Sequence, residues 1–115
     1  MDVRRGFVLA AGLCGALGVA LSALAAHAGG GNLATAAQFM LFHAPALLAI
    51  GLVGGTLILR IGGSVLLFGV IFFAGDLVMR HYAGTRLFPF AAPAGGTLMI
   101  TGWIVIGLSA LSARR

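Results

Sequence analysis

A stretch of about 19 residues, 62–80, constrains the fold more than any other part of this sequence. It is apolar except for Ser64, Asp76 and Arg80, and a helix of about 20 residues crosses the hydrocarbon core of a bilayer. Apolar residues make up 61% of the 115-residue chain and charged residues only 8%, which is too few to cover a water-soluble surface. The sequence therefore predicts a small integral membrane protein.

Three more apolar segments accompany this stretch. We expect one all-α domain over residues 1–115, with helices at about 7–26, 34–59, 62–80 and 94–111. Turn-forming residues at 28–32 end the first segment, Arg60 ends the second, and Gly62 and Gly63 open the third. Because these connections are short, we expect the helices to form an antiparallel four-helix bundle.

The amino-terminal segment permits two interpretations. Arg4 and Arg5 precede an apolar run that ends in Ala26, His27 and Ala28, as in an export signal with a small-residue cleavage site. The run of about 20 residues is longer than the usual core of such a signal. We therefore expect a retained first transmembrane helix, with a cleaved signal as the alternative.

The arginines predict how the chain sits in the membrane. The formal net charge is +5, and four helices would place five arginines on one side against Arg80 and Arg86 on the other. The positive-inside rule then puts both termini in the cytoplasm, in a bacterial inner membrane. No basic face with interleaved aromatic residues is present, so we expect the lipid bilayer and no nucleic acid as a partner. The five arginines are Arg4, Arg5, Arg60, Arg114 and Arg115.

Five polar side chains are expected near the outer end of the bundle: His27, Gln38, His43, Asp76 and Arg80. Arg80 follows Asp76 by one helical turn, so an ion pair would offset part of the cost of a carboxylate in a membrane helix. In a structural interpretation, this pair fixes packing and His43 bonds to it or to a backbone carbonyl. In a functional one, His43, Asp76 and Gln38 form a proton-accepting or headgroup-binding site.

Small residues recur at four-residue spacing in the first helix and therefore share its faces. Such faces allow the backbones of membrane helices to approach closely. Tight packing within the chain is one interpretation, and the interface of a homo-oligomer is the other. The residues expected to serve helix packing are Gly12, Gly15, Gly18, Ser22, Gly95, Gly96 and Trp103.

Residue types suited to catalysis or metal binding are few. The single cysteine, Cys14, excludes an intramolecular disulfide and a cysteine-only metal site. His27, His43 and His81 show no metal-ligand spacing with one another or with Asp76 on one helix. No nucleophile motif occurs. We expect no catalytic residue, no metal and no cofactor, and hence a protein that is not an enzyme.

Several short motifs in this chain resemble those of a known family. They read SALAAH at 22–27, Gln38 followed by His43 and Ala44, FAGDL at 73–77, PAGG at 93–96 and GW at 102–103. The pattern resembles the small bacterial membrane proteins of domain of unknown function 423 (YgdD-like proteins), which are related to the eukaryotic transmembrane protein 256 group. Asp76 stands where the family motif has a serine. The resemblance implies a four-helix inner-membrane protein and supplies no substrate or catalytic residue.

The leading functional expectation is a non-catalytic accessory or assembly subunit of a membrane complex, bound to a membrane-protein partner or to copies of itself. Its size, short loops and small-residue helix faces favour this role. The alternative is a small transporter or a lipid- or quinone-binding protein that uses the outer polar cluster (His43, Asp76 and Gln38). A membrane enzyme ranks third.

Overall fold

The computed structural model describes residues 2–28 and 31–112, and these fold into four helices with no strand among them. They are α1 (Val3–Ala28), α2 (Asn32–Val53), α3 (Leu57–Ala83) and α4 (Ala91–Ser109). All four are long and apolar enough to cross a membrane. The all-α prediction is confirmed. Gly29 and Gly30 of the first turn, and Arg114 and Arg115 of the charge argument, lie outside the described residues.

The boundary between the second and third helices was predicted wrongly. The chain leaves α2 at Gly54 and Gly55, whose φ angles of 77° and 61° favour glycine. Thr56 then caps α3, because its hydroxyl oxygen accepts a hydrogen bond from the Leu59 amide at 3.2 Å. Arg60 and the two glycines after it therefore lie inside α3 and do not separate two helices.

Helices that follow one another in the chain pack together: α1 on α2, α2 on α3, and α3 on α4. At the start of α1, the Arg4 side chain donates hydrogen bonds to the carbonyls of Gly51 and Leu52, near the end of α2. This arginine satisfies carbonyls that the helix end leaves unpaired. The main core takes residues from all four helices: Phe7, Ala11, Cys14, Leu47, Ile50, Leu66, Val70 and Met99.

Four glycines form the contact between α3 and α4, which we call the glycine seam: Gly62, Gly69, Gly95 and Gly102. A Cβ atom on Gly69 would lie 2.8 Å from the Gly95 carbonyl oxygen, and one on Gly95 would lie 2.8 Å from the Gly69 carbonyl oxygen. A Cβ on Gly102 would lie 3.0 Å from the Gly62 carbonyl oxygen. Only glycine allows the two backbones to come this close.

The predicted packing glycines of α1 divide into two groups. A Cβ on Gly18 would lie 2.7 Å from the Leu41 side chain, and one on Gly15 would lie 3.8 Å from that of Ala44, so both positions face α2. Gly12 has no neighbouring atom within 4 Å, and the same is true of Gly96 on α4. These two glycines do not pack between helices of this chain. Ser22 is exposed as well.

Candidate functional site

His43 joins α2 to α4 through both of its ring nitrogens. The side chain is 5% exposed. The indole N–H of Trp103 donates to Nε2 at 3.1 Å, and Nδ1 lies 2.7 Å from the Phe39 carbonyl oxygen. Because an indole N–H can only donate, Nε2 must accept, and the imidazole proton therefore lies on Nδ1 and is donated to the carbonyl. His43 is a neutral imidazole with no free nitrogen in this arrangement.

This hydrogen bond lies nearer the middle of its helix than the sequence indicated. The expectation placed His43 in the outer half of a helix over 34–59, whereas α2 spans Asn32–Val53 and His43 is near its midpoint. Pro45, two residues later, lies within the same helix. Trp103, predicted to be a packing residue, is 45% exposed and acts mainly as the donor to His43. The centroids of the indole and imidazole rings are 5.8 Å apart.

Among the described residues, Asp76 is the second buried polar side chain, with an exposure of 0%. Its Oδ1 accepts a hydrogen bond from the Leu87 amide at 2.7 Å, and its Oδ2 lies 3.0 Å from Nη2 of Arg80. The Arg80 side chain is 31% exposed, so the pair reaches the surface of the protein through the guanidinium. The carboxylate thus binds one partner on its own helix and one on the loop that follows.

The loop over 84–90 folds back onto α3 around this carboxylate. Phe88 packs edge-on against Phe72, with ring centroids 5.4 Å apart. A Cβ on Gly75 would lie 3.5 Å from the Leu87 side chain, so the loop rests on the helix at that glycine. Asp76 therefore acts as an internal anchor for the connection between α3 and α4.

Gln38 and His27 stand apart from these two groups. Gln38 is exposed and lines a cleft of about 460 Å³ between α1 and α2, together with Ser22 and small apolar residues. His27 is exposed in the last turn of α1. Among the described residues, the five predicted polar side chains do not form one hydrogen-bonded cluster. The expected Asp76–Arg80 ion pair is present, and His43 bonds to a backbone carbonyl.

The chemistry available to these groups is limited by the bonds that they already make. Protonation of His43 at Nε2 would break the Trp103 hydrogen bond. A ligand at Asp76 would compete with the Leu87 amide at Oδ1 or with Arg80 at Oδ2. In the described part of the chain, no three His, Cys, Asp or Glu side chains gather in a way that suits a metal ion. The arrangement is suited to joining helices and holding a loop.

Two residues of this site were missed by the sequence reasoning. Nothing in the sequence marks the backbone amide of Leu87, which is 11 residues from Asp76. The pairing of Trp103 with His43 spans 60 residues. Its only sequence signal is that a histidine and a tryptophan within apolar helices each tend to find a hydrogen-bond partner.

Comparisons with known proteins give one family and a set of bacterial relatives. The family model described as "Protein of unknown function (DUF423)" matches residues 12–96, a segment that contains His43 and Asp76. A UPF0382 membrane protein of Staphylococcus epidermidis is 30% identical over 91% of this chain and 94% of its own length. A UPF0382 membrane protein of Haemophilus influenzae is 26% identical over 97% of this chain and 98% of its own length. No solved structure matches this chain.

Proposed function

The chain belongs to the DUF423 family, and we propose that it is a non-catalytic accessory or assembly subunit of a larger membrane complex. It is a multi-pass membrane protein: its relatives are named membrane proteins, and four of its helices have membrane-spanning length. The family description assigns no activity. The role proposed here therefore depends on what the side chains of this chain do.

The observation that carries the proposal is that the buried polar groups are used within the chain. Both nitrogens of His43 and Oδ1 of Asp76 make hydrogen bonds within the chain. Oδ2 of Asp76 makes no hydrogen bond but lies 3.0 Å from the Arg80 guanidinium, in an ion pair. A site that handled a proton or a ligand would have to exchange one of these bonds for a bond to that proton or ligand. The partners found here instead fix helices and a loop, which is the behaviour expected of a structural subunit.

In this proposal the helices form an antiparallel bundle in a bacterial inner membrane, with both termini in the cytoplasm. The contacts of Arg4 with the end of α2 support opposite directions for α1 and α2. The excess of arginines at one end supports the orientation.

A partner surface is available on the side of α1 that faces away from α2. Gly12, Ala16, Ala20 and Ala23 are exposed there at helical spacing, and a Cβ on Gly12 would meet no atom within 4 Å. Membrane helices associate through small residues of this kind. By contrast, α2 packs against Gly15 and Gly18, so substitutions there would not test an external interface.

The test is native mass spectrometry of the tagged protein, gently extracted from its own membrane. We expect a stoichiometric complex that Gly12→Leu disrupts. Gly107→Leu is the matched control, because Gly107 on α4 also has no neighbour within 4 Å. Asp76→Asn and His43→Ala should leave the partner bound.

The opposite pattern would favour the alternative, a transporter or a lipid- or quinone-binding protein. In that case Gly12→Leu has no effect, and a small ligand remains bound until His43, Asp76 or Gln38 is changed. The bonds already made by the first two residues give this alternative less support.

A further inference from the structure

A groove runs along the outside of the molecule between the start of α1 and the first half of α3. Two adjoining cavities of about 310 and 260 Å³ form it, and both are lined by Val3 and Ser64. Arg60 lines the larger cavity between Leu57 and Ile61, and Val65 and Phe68 continue the cavity along α3. The groove is thus apolar except at Arg60 and Ser64.

Arg60 supplies a positive charge that has no counterpart in the described part of the chain. Its Nε atom is buried and has no hydrogen-bond partner there. Of the two acidic side chains of the protein, Asp76 pairs with Arg80, and Asp2 accepts from the Arg5 amide and makes no ion pair with Arg60. A buried arginine nitrogen without a partner is costly, so an anion beside Arg60 in the groove would be favourable.

The Ser64 hydroxyl does not compete for this role. It donates to the Arg60 carbonyl oxygen at 2.9 Å, so its proton is already used. The amino terminus of α3 lies three residues before Arg60 and adds a partial positive charge of its own. An anion would therefore be held by the guanidinium and by the positive end of the helix.

The length of α3 places Arg60 at the depth of lipid headgroups. The helix has 27 residues, which corresponds to about 40 Å, whereas the hydrocarbon core is about 30 Å thick. Arg60 and Arg80 are 20 residues apart, or about 30 Å along the axis, so both fit the two boundaries of that core. Ile61, Val65 and Phe68 then lie at the depth of the acyl chains.

From this arrangement we propose that the groove between α1 and α3 binds an anionic phospholipid. The phosphate interacts with the Arg60 guanidinium, and one acyl chain lies along Ile61, Val65 and Phe68. Basic pockets at the membrane surface bind anionic headgroups in this way, and the arginine side of the protein would face the anionic inner leaflet. The lipid site does not depend on the proposed role as a subunit.

The experiment is a lipid titration of the full-length protein in detergent, followed by native mass spectrometry. The probes are dioleoyl phosphatidylglycerol and dioleoyl phosphatidylcholine, which have the same chains but differ in net charge. We expect the anionic lipid to bind more tightly. Arg60→Gln should weaken its binding about tenfold, because a charge-assisted hydrogen bond is lost. Arg86→Gln, which removes an equal charge from an exposed loop, should change binding less than about twofold.

A second pair of variants tests the groove without altering charge. Val65→Trp fills the cavity and should weaken binding of the anionic lipid, whereas Ile71→Trp, at an exposed position of α3, should not. Circular dichroism establishes which variants are folded, and either pair is sufficient if a member of the other fails to fold.

Three results would overturn the proposal. The first is equal loss of binding in Arg60→Gln and Arg86→Gln, which would indicate general charge attraction. The second is equal binding of the two lipids. The third is competition by glycerol phosphate as strong as that of the intact lipid, which would show a site for a free phosphate and not for a lipid.

Discussion

Replacing Gly95 with alanine tests the glycine seam, and the neighbouring Gly96 provides the control. A Cβ atom on Gly95 would lie 2.5 Å from the backbone nitrogen of Phe73, whereas one on Gly96 would meet nothing within 4 Å. Ordinary contacts of a Cβ begin at 3.4 Å, so α4 must move away from α3 by about 0.9 Å to accept the methyl group. The atoms in the way are backbone atoms and cannot turn aside.

The size of the effect follows from this shift. Overpacking a rigid site costs about 1–3 kcal/mol, and a gap of 0.5–1 Å removes a quarter to a half of the dispersion energy of the contacts it opens. Alanine also gains about 0.5–1 kcal/mol over glycine within a helix, but both variants receive this gain and it cancels in the comparison. We expect Gly95→Ala to be less stable than Gly96→Ala by about 2 kcal/mol.

The assay is reversible unfolding in mixed micelles with increasing dodecyl sulfate, followed by circular dichroism. The free energy of unfolding is obtained for the wild type and both alanine variants under identical conditions. If Gly95→Ala and Gly96→Ala agree within about 0.5 kcal/mol, the two helices are not in the backbone contact described here, and the reasoning fails.

Three further changes test other contacts. Asp76→Ala should lower the free energy of unfolding by about 2–4 kcal/mol, because the Leu87 amide and the Arg80 guanidinium both lose their partner. Asp76→Asn keeps an acceptor oxygen and should cost less than half as much in the same titration, so equal losses would argue against the Leu87 bond. Trp103→Phe should cost about 1 kcal/mol in that assay, because His43 loses its donor. Cys14, 6% exposed, should react slowly with a maleimide in the folded protein and quickly once dodecyl sulfate unfolds it; rapid labelling of the folded state would contradict its burial.

Local features of the fold could be predicted from the sequence. Four apolar segments indicated four helices, and the spacing of Asp76 and Arg80 indicated an ion pair on one helix face. The error at the second boundary came from treating Arg60 as the end of a helix. Gly54 and Gly55 are typical turn residues, and Thr56 after them is a residue type favoured at helix N-caps. The sequence therefore contained the signal for the correct boundary, but the charge of Arg60 was given more weight.

Contacts between distant parts of the chain could not be predicted in the same way. The His43–Trp103 bond depends on how α2 and α4 approach each other, and the Asp76–Leu87 bond depends on the path of a loop. The glycine seam is an intermediate case. Its glycines are seven residues apart on each helix, close to two helical turns, and this spacing is visible in the sequence.

The order of helix contacts has a consequence for how the protein is made. Each main interface joins two helices that are neighbours in the chain, so each can form as soon as its second helix leaves the ribosome. Arg4 can bind the end of α2 before α3 has been synthesised, and the Asp76 carboxylate gains its second partner when Leu87 emerges, 11 residues later. The ion pair with Arg80 needs only residues of α3, so the charge of the Asp76 carboxylate can be offset before α4 has been synthesised.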